Sequence, residues 1–332
     1  MCEVTALLSI DEAQRRILER VQPLEPETVP LGEAAGRVLA EAARSRTDLP
    51  SFDSSAMDGF ALRAEDTPGQ LPVRDRIPAG RPADRALQPG EAMGIATGGA
   101  VPDGADAVVP IEVVADHGNT IEVEEGVPRG AHIRPRGGDA ALGDTVVEAG
   151  GLLGPAQLGA LAAAGVADVA CSRRPTAAVL ATGSELRRPG EELRHGQVYD
   201  ANTALLSAQL RSAGAEVEQV APVADDEPAH REALEAGLRA DVLVTSGGVS
   251  VGPHDLVRSV GAELGVEEVF WGVAVKPGKP LWFGTRGRTL VFGLPGNPVS
   301  ALVSFELFVR PAVLALQGHR SPLPAFLPGR LA

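Results

Sequence analysis

The chain has 332 residues, 44% of them hydrophobic but only 3% aromatic, so it can form two or three domains with largely aliphatic cores. Its formal net charge of −14 argues against broad binding of nucleic acids or anionic membranes, because both require a face with several positive charges. The sequence lacks a run of about 18 apolar residues, and its first residues lack the pattern of a signal peptide, so we expect a soluble cytoplasmic protein.

The first predicted element is an amphipathic helix. Ser9 and Glu12 have the spacing of a capping box, and apolar residues follow at helical spacing until Pro23 ends the pattern. The next segment, residues 31–44, is rich in Ala and Glu and is predicted to be helical in part.

Residues 47–147 have the pattern of a small β-rich domain. Gly, Pro and Asp recur every few residues between short alternating segments such as 107–111 and 119–123. Three polar turns of this region contain Asp58, Thr97, and Arg134 with Asp139. Composition does not reveal the chemistry of the first two turns. The third turn combines two arginines and an acid with glycines, which suits an anion, but turn formation by itself also explains all three segments.

The second half of the chain alternates strands and helices. A helix at 155–164 and a strand at 166–171 are predicted before a boundary at 173–175. Beyond it the predicted strands are 177–181, 216–223, 242–245, 269–275 and 290–292, and the predicted helices are 203–212, 227–238, one starting near Asp255, and 298–316. This order is typical of a doubly wound α/β sheet, whose ligand site lies at the C-terminal strand ends.

Two glycine loops follow the first and third of these strands. Glycines let the backbone approach a phosphate closely, and a following helix directs its unpaired N–H groups at the anion. The residues concerned are Thr182, Gly183 and Glu185 in the first loop, and Ser246, Gly247, Gly248, Gly252 and Asp255 in the second. The two carboxylates suit a hard cation such as Mg²⁺, although turn chemistry explains either loop taken singly.

Two proline-containing segments near the C-terminus are also candidates for anion binding. Lys276 and Lys279 lie in a segment stiffened by prolines, which suits fixed capture of an oxyanion. The segment 293–300 contains Pro295, Pro298 and Ser300, and Pro298 is predicted to open a helix with free N–H groups nearby. A surface turn and a structural turn remain the alternatives.

Metal binding through sulfur or imidazole is not expected. The two cysteines, Cys2 and Cys171, are too few for a disulfide framework or a four-thiolate metal site. The six histidines show no paired metal spacing, which argues against a zinc site.

Taken together, these motifs resemble the molybdopterin molybdenumtransferase family, known as MoeA and as the E domains of gephyrin and its plant counterpart. The resemblance runs from Ser9 to Leu316, with the motifs in the family's order and approximate spacing. The matching segments are SAMDG (55–59), TG (97–98) with VP (101–102), TG (182–183) with Glu185, VYD (198–200) with Asn202, SGGVSVG (246–252), KPGKP (276–280) and GLPGNPVS (293–300).

The resemblance implies an α/β multidomain protein. Its parts would be a doubly wound α/β domain of the molybdenum-cofactor-biosynthesis type at 175–318, a β-rich inserted domain at 47–147, and an elongated helical N-terminal domain formed by 1–46 and 148–174. It also implies a homodimer whose cleft combines the α/β domain of one chain with the β-rich domain of its partner, and contact with molybdopterin adenylyltransferase.

The implied reaction is insertion of molybdate into adenylylated molybdopterin, with Mg²⁺ or a similar divalent cation and with release of AMP. Glu185 and Asp255 would bind the cation, and the loops 182–183 and 246–252 would bind the nucleotide. The other residues implied in catalysis or substrate binding are Asp58, Thr97, Arg134, Asp139, Asp225, Lys276, Lys279, Pro295, Pro298 and Ser300.

Two departures from the family pattern qualify this hypothesis. Family members carry a further small β domain after the long helix, whereas a proline-rich tail at 319–332 follows here, so we expect a short or truncated member with a wall of the site missing. Ser184 stands where an acid is common, which leaves Glu185 as the carboxylate of that loop. The alternatives are a molybdopterin adenylyltransferase, although those single-domain relatives lack the Asp58 and Thr97 segments, and a non-catalytic binder or scaffold.

Overall fold

The computed structural model describes residues 7–219, 227–248, 256–326 and 329. The chain divides into two compact units. The first unit comprises Met1–Ala42, Glu148–Pro155 and Asp168–Ala332, and the second comprises Ala43–Val147 and Ala156–Ala167.

The secondary structure is mixed throughout the described residues. The strands are β1 (Pro26–Pro30), β2 (Ala43–Arg44), β3 (Ser54–Ser55), β4 (Gly59–Leu62), β5 (Gly69–Ile77), β6 (Ala92–Ile95), β7 (Ala107–Pro110), β8 (Ala115–Asp116), β9 (Thr120–Val123), β10 (Ile133–Arg134), β11 (Thr145–Val147), β12 (Asp168–Ser172), β13 (Thr176–Ala181), β14 (Leu186–Arg187), β15 (Val198–Tyr199), β16 (Glu216–Gln219), β17 (Val242–Ser246), β18 (Glu267–Trp271), β19 (Trp282–Arg286) and β20 (Thr289–Leu294). The α-helices are α1 (Ile10–Leu18), α2 (Pro155–Ala163), α3 (Asn202–Ser212), α4 (Glu227–Gly237), α5 (Leu256–Glu263), α6 (Pro298–Ser304) and α7 (Arg310–Leu316). Short 3₁₀ turns cover Leu31–Glu33, Ala64–Asp66 and Ile111–Val113, and a π segment, Phe305–Val309, joins α6 to α7.

The first unit is built on a six-stranded sheet in the order β16-β13-β17-β20-β19-β18. The pairs from β16 to β20 are parallel, whereas β19 and β18 are antiparallel to their neighbours. Helices α1, α3, α6 and α7 pack on one face, and α4 and α5 pack on the other. A largely parallel sheet needs this cover on both faces, so the unit has the α/β architecture that the alternating pattern predicts.

The period-2 pattern of the parallel strands explains how they are buried on both faces. In β13, Ala177 and Val179 belong to the apolar cluster with α3, whereas Ala178 and Leu180 belong to the cluster with α4 and α5. Cys171 is a free, buried thiol whose pKa is raised by its burial. Most residues of the two apolar clusters in the first unit are Ala, Val or Leu, so its core is largely aliphatic, as the composition indicates.

The long C-terminal helix spans the predicted range 298–316 but is interrupted by the π segment. Pro311 has no N–H, so the carbonyl of Leu307, four residues earlier, cannot accept the usual α-helical hydrogen bond. The Nε2 of Gln14, on α1, donates to this oxygen at 2.9 Å.

The helix 298–316 is the one helix among the described residues whose length and composition suit a membrane span, and half of it is buried against the first unit's core.

Several predicted elements differ from those observed. Residues 31–44 are not helical beyond Leu31–Glu33, because the backbone of this segment pairs with distant residues: Leu39 N–H donates to Gly151 O and Ala40 N–H to Ala170 O. The strand predicted at 269–275 ends at Trp271, and β19 was not predicted. The predicted strand 216–223 is observed as far as Gln219, and its remainder lies outside the described residues.

The second unit contains a six-stranded sheet in the order β7-β4-β6-β5-β9-β8. All neighbours are antiparallel except β5 and β6. Two apolar clusters, one around Phe60 and one around Met93, use opposite faces of β4. The predicted strands near 107–111 and 119–123 are confirmed as β7 and β9, so this unit is rich in β structure.

Candidate functional site

Three parallel strands of the first unit end side by side. The register aligns Ala181 of β13 with Ser246 of β17, and Ser246 with Leu294 of β20. The N–H of Thr182 donates to Ser246 O at 3.0 Å, and the N–H of Gly247 donates to Leu294 O at 3.1 Å. The loops that follow the three strands therefore begin together at the C-terminal edge of the sheet, where α/β sheets bind ligands.

The two glycine loops touch closely at this edge. Gly247 has φ +91°, and a Cβ atom there would lie 2.7 Å from the carbonyl oxygen of Thr182. Only glycine permits both this dihedral angle and this approach. The carboxylate of Glu185 lies over Gly183, because a Cβ atom on Gly183 would come within 2.5 Å of its Oε2. Glu185 is exposed, so its oxygens are accessible for a cation.

The lysine segment packs against the start of the C-terminal helix. A Cβ atom on Gly278 would lie 2.7 Å from Ser304 Oγ and 3.6 Å from Ser300 O, so the segment lies directly on α6. Lys276 and Lys279 are both exposed on this segment. Because α6 follows the loop after β20, the lysines belong to the same region of the first unit as Pro295 and Pro298.

The N-terminus of α6 is less open than predicted. Asn297 caps the helix, and its Oδ1 accepts from the N–H of Val299 at 3.0 Å and of Ser300 at 3.3 Å. Pro298 occupies the first turn and has no N–H to offer. The prediction of free N–H groups at Pro298 is wrong for these two donors, because Asn297 already satisfies them.

Asp225, Gly252 and Asp255 lie outside the described residues. Within the residues that are described, no group of three or more His, Cys, Asp or Glu side chains forms a metal-binding cluster. Of the two predicted cation ligands, only Glu185 therefore has a described position.

The predicted residues of the second unit lie on adjoining turns. Asp58 Oδ1 accepts from the N–H of Thr97 at 2.7 Å, and Arg134 forms an ion pair with Asp139. Strand β10, which contains Arg134, pairs with β3 at Ser54 and Ser55, and Ser55 is three residues before Asp58. The structure thus brings Asp58, Thr97 and the Arg134–Asp139 pair into one part of the second unit.

Two further aspartates support this part of the second unit, and the motifs did not indicate them. Asp53 Oδ1 accepts from the N–H of Arg136 at 2.7 Å, and Asp48 Oδ2 accepts from Nε of Arg136 at 2.7 Å. The N–H of Leu142 and then the guanidinium of Arg136 hold the pKa of Asp48 below its usual range. These contacts join residues more than 80 positions apart, so no local sequence signal reveals them.

Known families match both halves of the chain. The family described as "MoeA N-terminal region (domain I and II)" matches residues 8–165, and the family described as "Probable molybdopterin binding domain" matches residues 178–315. Molybdopterin molybdenumtransferase 2 of Mycobacterium tuberculosis is 42% identical over 329 residues, with 95% of this chain and 81% of the relative covered. Molybdopterin molybdenumtransferase of Haemophilus influenzae is 39% identical, with 95% and 79% covered.

Solved structures agree with these similarities. The crystal structure of the molybdopterin biosynthesis MoeA protein of Pyrococcus horikoshii OT3 superposes with a TM-score of 0.82 at 33% identity. The alignment covers 96% of this chain and 81% of that chain. The fold similarity therefore extends over nearly the whole chain, as the sequence similarity does.

Proposed function

The chain belongs to the molybdopterin molybdenumtransferase family, with a role in molybdenum cofactor biosynthesis, and from this premise we propose that it inserts molybdate into adenylylated molybdopterin and releases AMP. The observation that supports this reaction best is the alignment of three strand-end loops in the first unit. Their glycine and proline residues leave a backbone edge that a nucleotide phosphate can approach.

In this proposal the loops contribute by binding and orientation. Thr182, Gly183 and the loop beginning with Ser246, Gly247 and Gly248 and including Gly252 hold the nucleotide, with Pro295, Pro298 and Ser300 beside them. Lys276 and Lys279 attract the oxyanions of phosphate and molybdate, and the packing of Gly278 between them on α6 supports this role because it restrains their backbone.

A divalent cation such as Mg²⁺ fits the donor set. Mg²⁺ prefers oxygen ligands and commonly uses one or two carboxylates together with substrate phosphates and water. Glu185 offers an exposed carboxylate at the same sheet edge, and we propose Asp255 as the second ligand. The cation would offset the negative charge at the phosphate, and the two carboxylates would orient it.

The second unit is proposed to supply the remaining groups. We assign Asp58, Thr97, Arg134 and Asp139 to substrate binding and catalysis, together with Asp225 of the first unit. We further propose that the protein is a cytoplasmic homodimer in which the β-rich domain of one chain completes the cleft of its partner, and that it contacts molybdopterin adenylyltransferase. The domain bounds 1–46 with 148–174, 47–147 and 175–318, followed by the tail 319–332, belong to the same proposal.

The reaction is tested by AMP release from adenylylated molybdopterin in the presence of molybdate and Mg²⁺. Glu185→Gln is expected to lower the rate about 100-fold, the typical effect of removing one stabilising group from a preorganised site. Glu192→Gln is the matched control, because Glu192 is an exposed glutamate of the same connecting segment. Asp255→Asn is expected to behave as Glu185→Gln does.

The alternatives give different products in this assay. An adenylyltransferase would consume ATP and molybdopterin, and a non-catalytic binder would retain the substrate without releasing AMP. Mixing inactive Asp58→Ala with inactive Asp255→Ala tests the shared cleft, because a dimer containing both variants has one intact site. Absence of rescue despite demonstrated subunit exchange would contradict the dimer proposal.

A further inference from the structure

Asn202, the first residue of α3, connects two of the strand-end loops through one side chain. Its Nδ2 donates to Ser246 Oγ at 2.6 Å and to the carbonyl oxygen of Gly296 at 2.8 Å. The side chain is 8% exposed, and Ser246 is 2% exposed. Residues 44 and 94 positions away along the chain are thus held by a single buried amide.

The orientation of this amide is determined by its surroundings. The Gly296 carbonyl can only accept, so a flipped amide would place two oxygen atoms 2.8 Å apart. The Ser246 hydroxyl accepts from Asn202 and donates in turn to Pro295 O at 3.3 Å. The hydrogen bonds form a continuous chain from α3 through the end of β17 to the loop after β20, and bonds in such chains strengthen one another.

The oxygen atom of the same amide, Oδ1, is buried unfavourably. Among the residues that the structure describes, the buried Asn202 Oδ1 has no hydrogen-bond partner. A buried acceptor without a donor is unfavourable, so Oδ1 does not favour the burial of Asn202. The favourable contacts of this side chain are therefore the two hydrogen bonds from its Nδ2, which connect the loops.

We infer that Asn202 is a positioning residue that sets the spacing between the loops beginning at Ser246 and Pro295 for nucleotide binding. The inference rests on the proposed function, because it takes these loops as the nucleotide site. Without the amide, the two loops lose the link that holds them at fixed distance from α3. The affinity for nucleotide then falls, since small misplacements of binding groups cost much of their interaction.

The chain offers a matched control at the opposite end of α3. Gln317 is 3% exposed, and its Nε2 donates to Ala213 O at 2.8 Å and to Val313 O at 3.0 Å. Ala213 is the C-cap of α3, whereas Val313 belongs to α7, the helix that Gln317 caps, so this amide also links α3 to another element. It has the same chemistry as Asn202 but lies away from the strand-end loops.

The test compares Asn202→Leu with Gln317→Leu in the full chain. Urea unfolding is measured first, and both variants are expected to lose stability. Hydrogen exchange without ligand is then measured for peptides covering 244–248 and 294–300. Exchange is expected to be faster in Asn202→Leu only. Calorimetric titration with AMP and Mg²⁺ is expected to show binding at least about tenfold weaker in Asn202→Leu than in wild type, and near wild-type binding in Gln317→Leu.

Equal exchange in the two variants, or equal AMP affinity, overturns the positioning role. If Asn202→Leu does not fold, Ser246→Ala removes the link to β17 with little loss of volume, and unchanged exchange and affinity in that variant also overturn it. A wild-type protein that does not bind AMP refutes the nucleotide assignment of the proposed function. The exchange comparison still decides the link between the loops in that case, because it requires no ligand.

Discussion

Replacement of Gly247 by alanine tests the close approach of the two glycine loops. Gly247 has φ +91°, and the added Cβ would lie 2.7 Å from the carbonyl oxygen and 3.0 Å from Oγ1 of Thr182. The left-handed dihedral angle costs alanine about 1–2 kcal/mol. The contact with Thr182 adds about 1–3 kcal/mol, as in other overpacked sites, because a backbone oxygen cannot rotate away. We expect Gly247→Ala to lose about 2–5 kcal/mol of stability.

Gly265→Ala separates the two contributions. Gly265 has φ +84°, and a Cβ atom there would meet nothing within 4 Å. This variant pays only the dihedral cost, so we expect it to lose about 1–2 kcal/mol. The difference between the two variants measures the contact between the loops.

Tryptophan fluorescence reports these changes selectively. The two tryptophans, Trp271 and Trp282, lie on β18 and β19 of the first unit, so urea unfolding followed by their emission reports the unit that contains both glycines. Equal midpoint shifts for Gly247→Ala and Gly265→Ala would refute the close packing of Gly247 against Thr182. AMP binding should also weaken in Gly247→Ala and remain near wild type in Gly265→Ala.

Three further predictions follow from individual contacts. Gln14→Leu leaves the Leu307 carbonyl without its donor, so the first unit should lose about 1–3 kcal/mol in urea unfolding. Burial opposes ionisation of Asp241, but hydrogen bonds from Arg173 and Thr176 outweigh it and lower the pKa of Asp241. The ionised carboxylate of Asp241 contributes to stability above pH about 4, and this contribution is lost as pH falls through the lowered pKa. The free energy of unfolding should therefore decrease less between pH 7 and pH 3 in Asp241→Asn than in wild type. Asp58→Asn keeps an oxygen that accepts from the Thr97 N–H, so the thermal midpoint should change little. The variant loses the negative charge, so the rate of AMP release should fall at least about tenfold. A rate near wild type would show that the carboxylate charge has no part in the reaction.

Local signals account for the elements that could be predicted. Ser9 caps α1 by accepting from the N–H of Glu12 at 3.1 Å, a contact three residues long that the sequence displays directly. The continuous apolar run of β13 is likewise typical of a parallel strand, and its residues pack against helices on both faces of the sheet. The glycine and lysine segments were also selected from local sequence, because the residue types that suit anion binding can be recognised without the fold.

Distant pairing explains the elements that were missed. Composition favours a helix at 31–44, yet Leu39 and Ala40 donate to carbonyl groups more than 110 residues away. Strand β19 carries no strong pattern of its own, and its hydrogen bonds with β18 and β20 define it. In both cases the backbone partners lie outside any window that propensity or periodicity can examine.

The sequence by itself determined the family, the α/β order of the second half and the residue types of the candidate site. Only the tertiary structure decided that Asn297 Oδ1 accepts hydrogen bonds from the N–H groups that begin α6, that Gly278 packs the lysine segment against that helix, and that Asn202 connects two loops. The physical reason is that residue types and short periodicities act over one or two turns of chain. The direction of a hydrogen bond and the fit of a glycine depend on atoms brought together from residues dozens of positions apart.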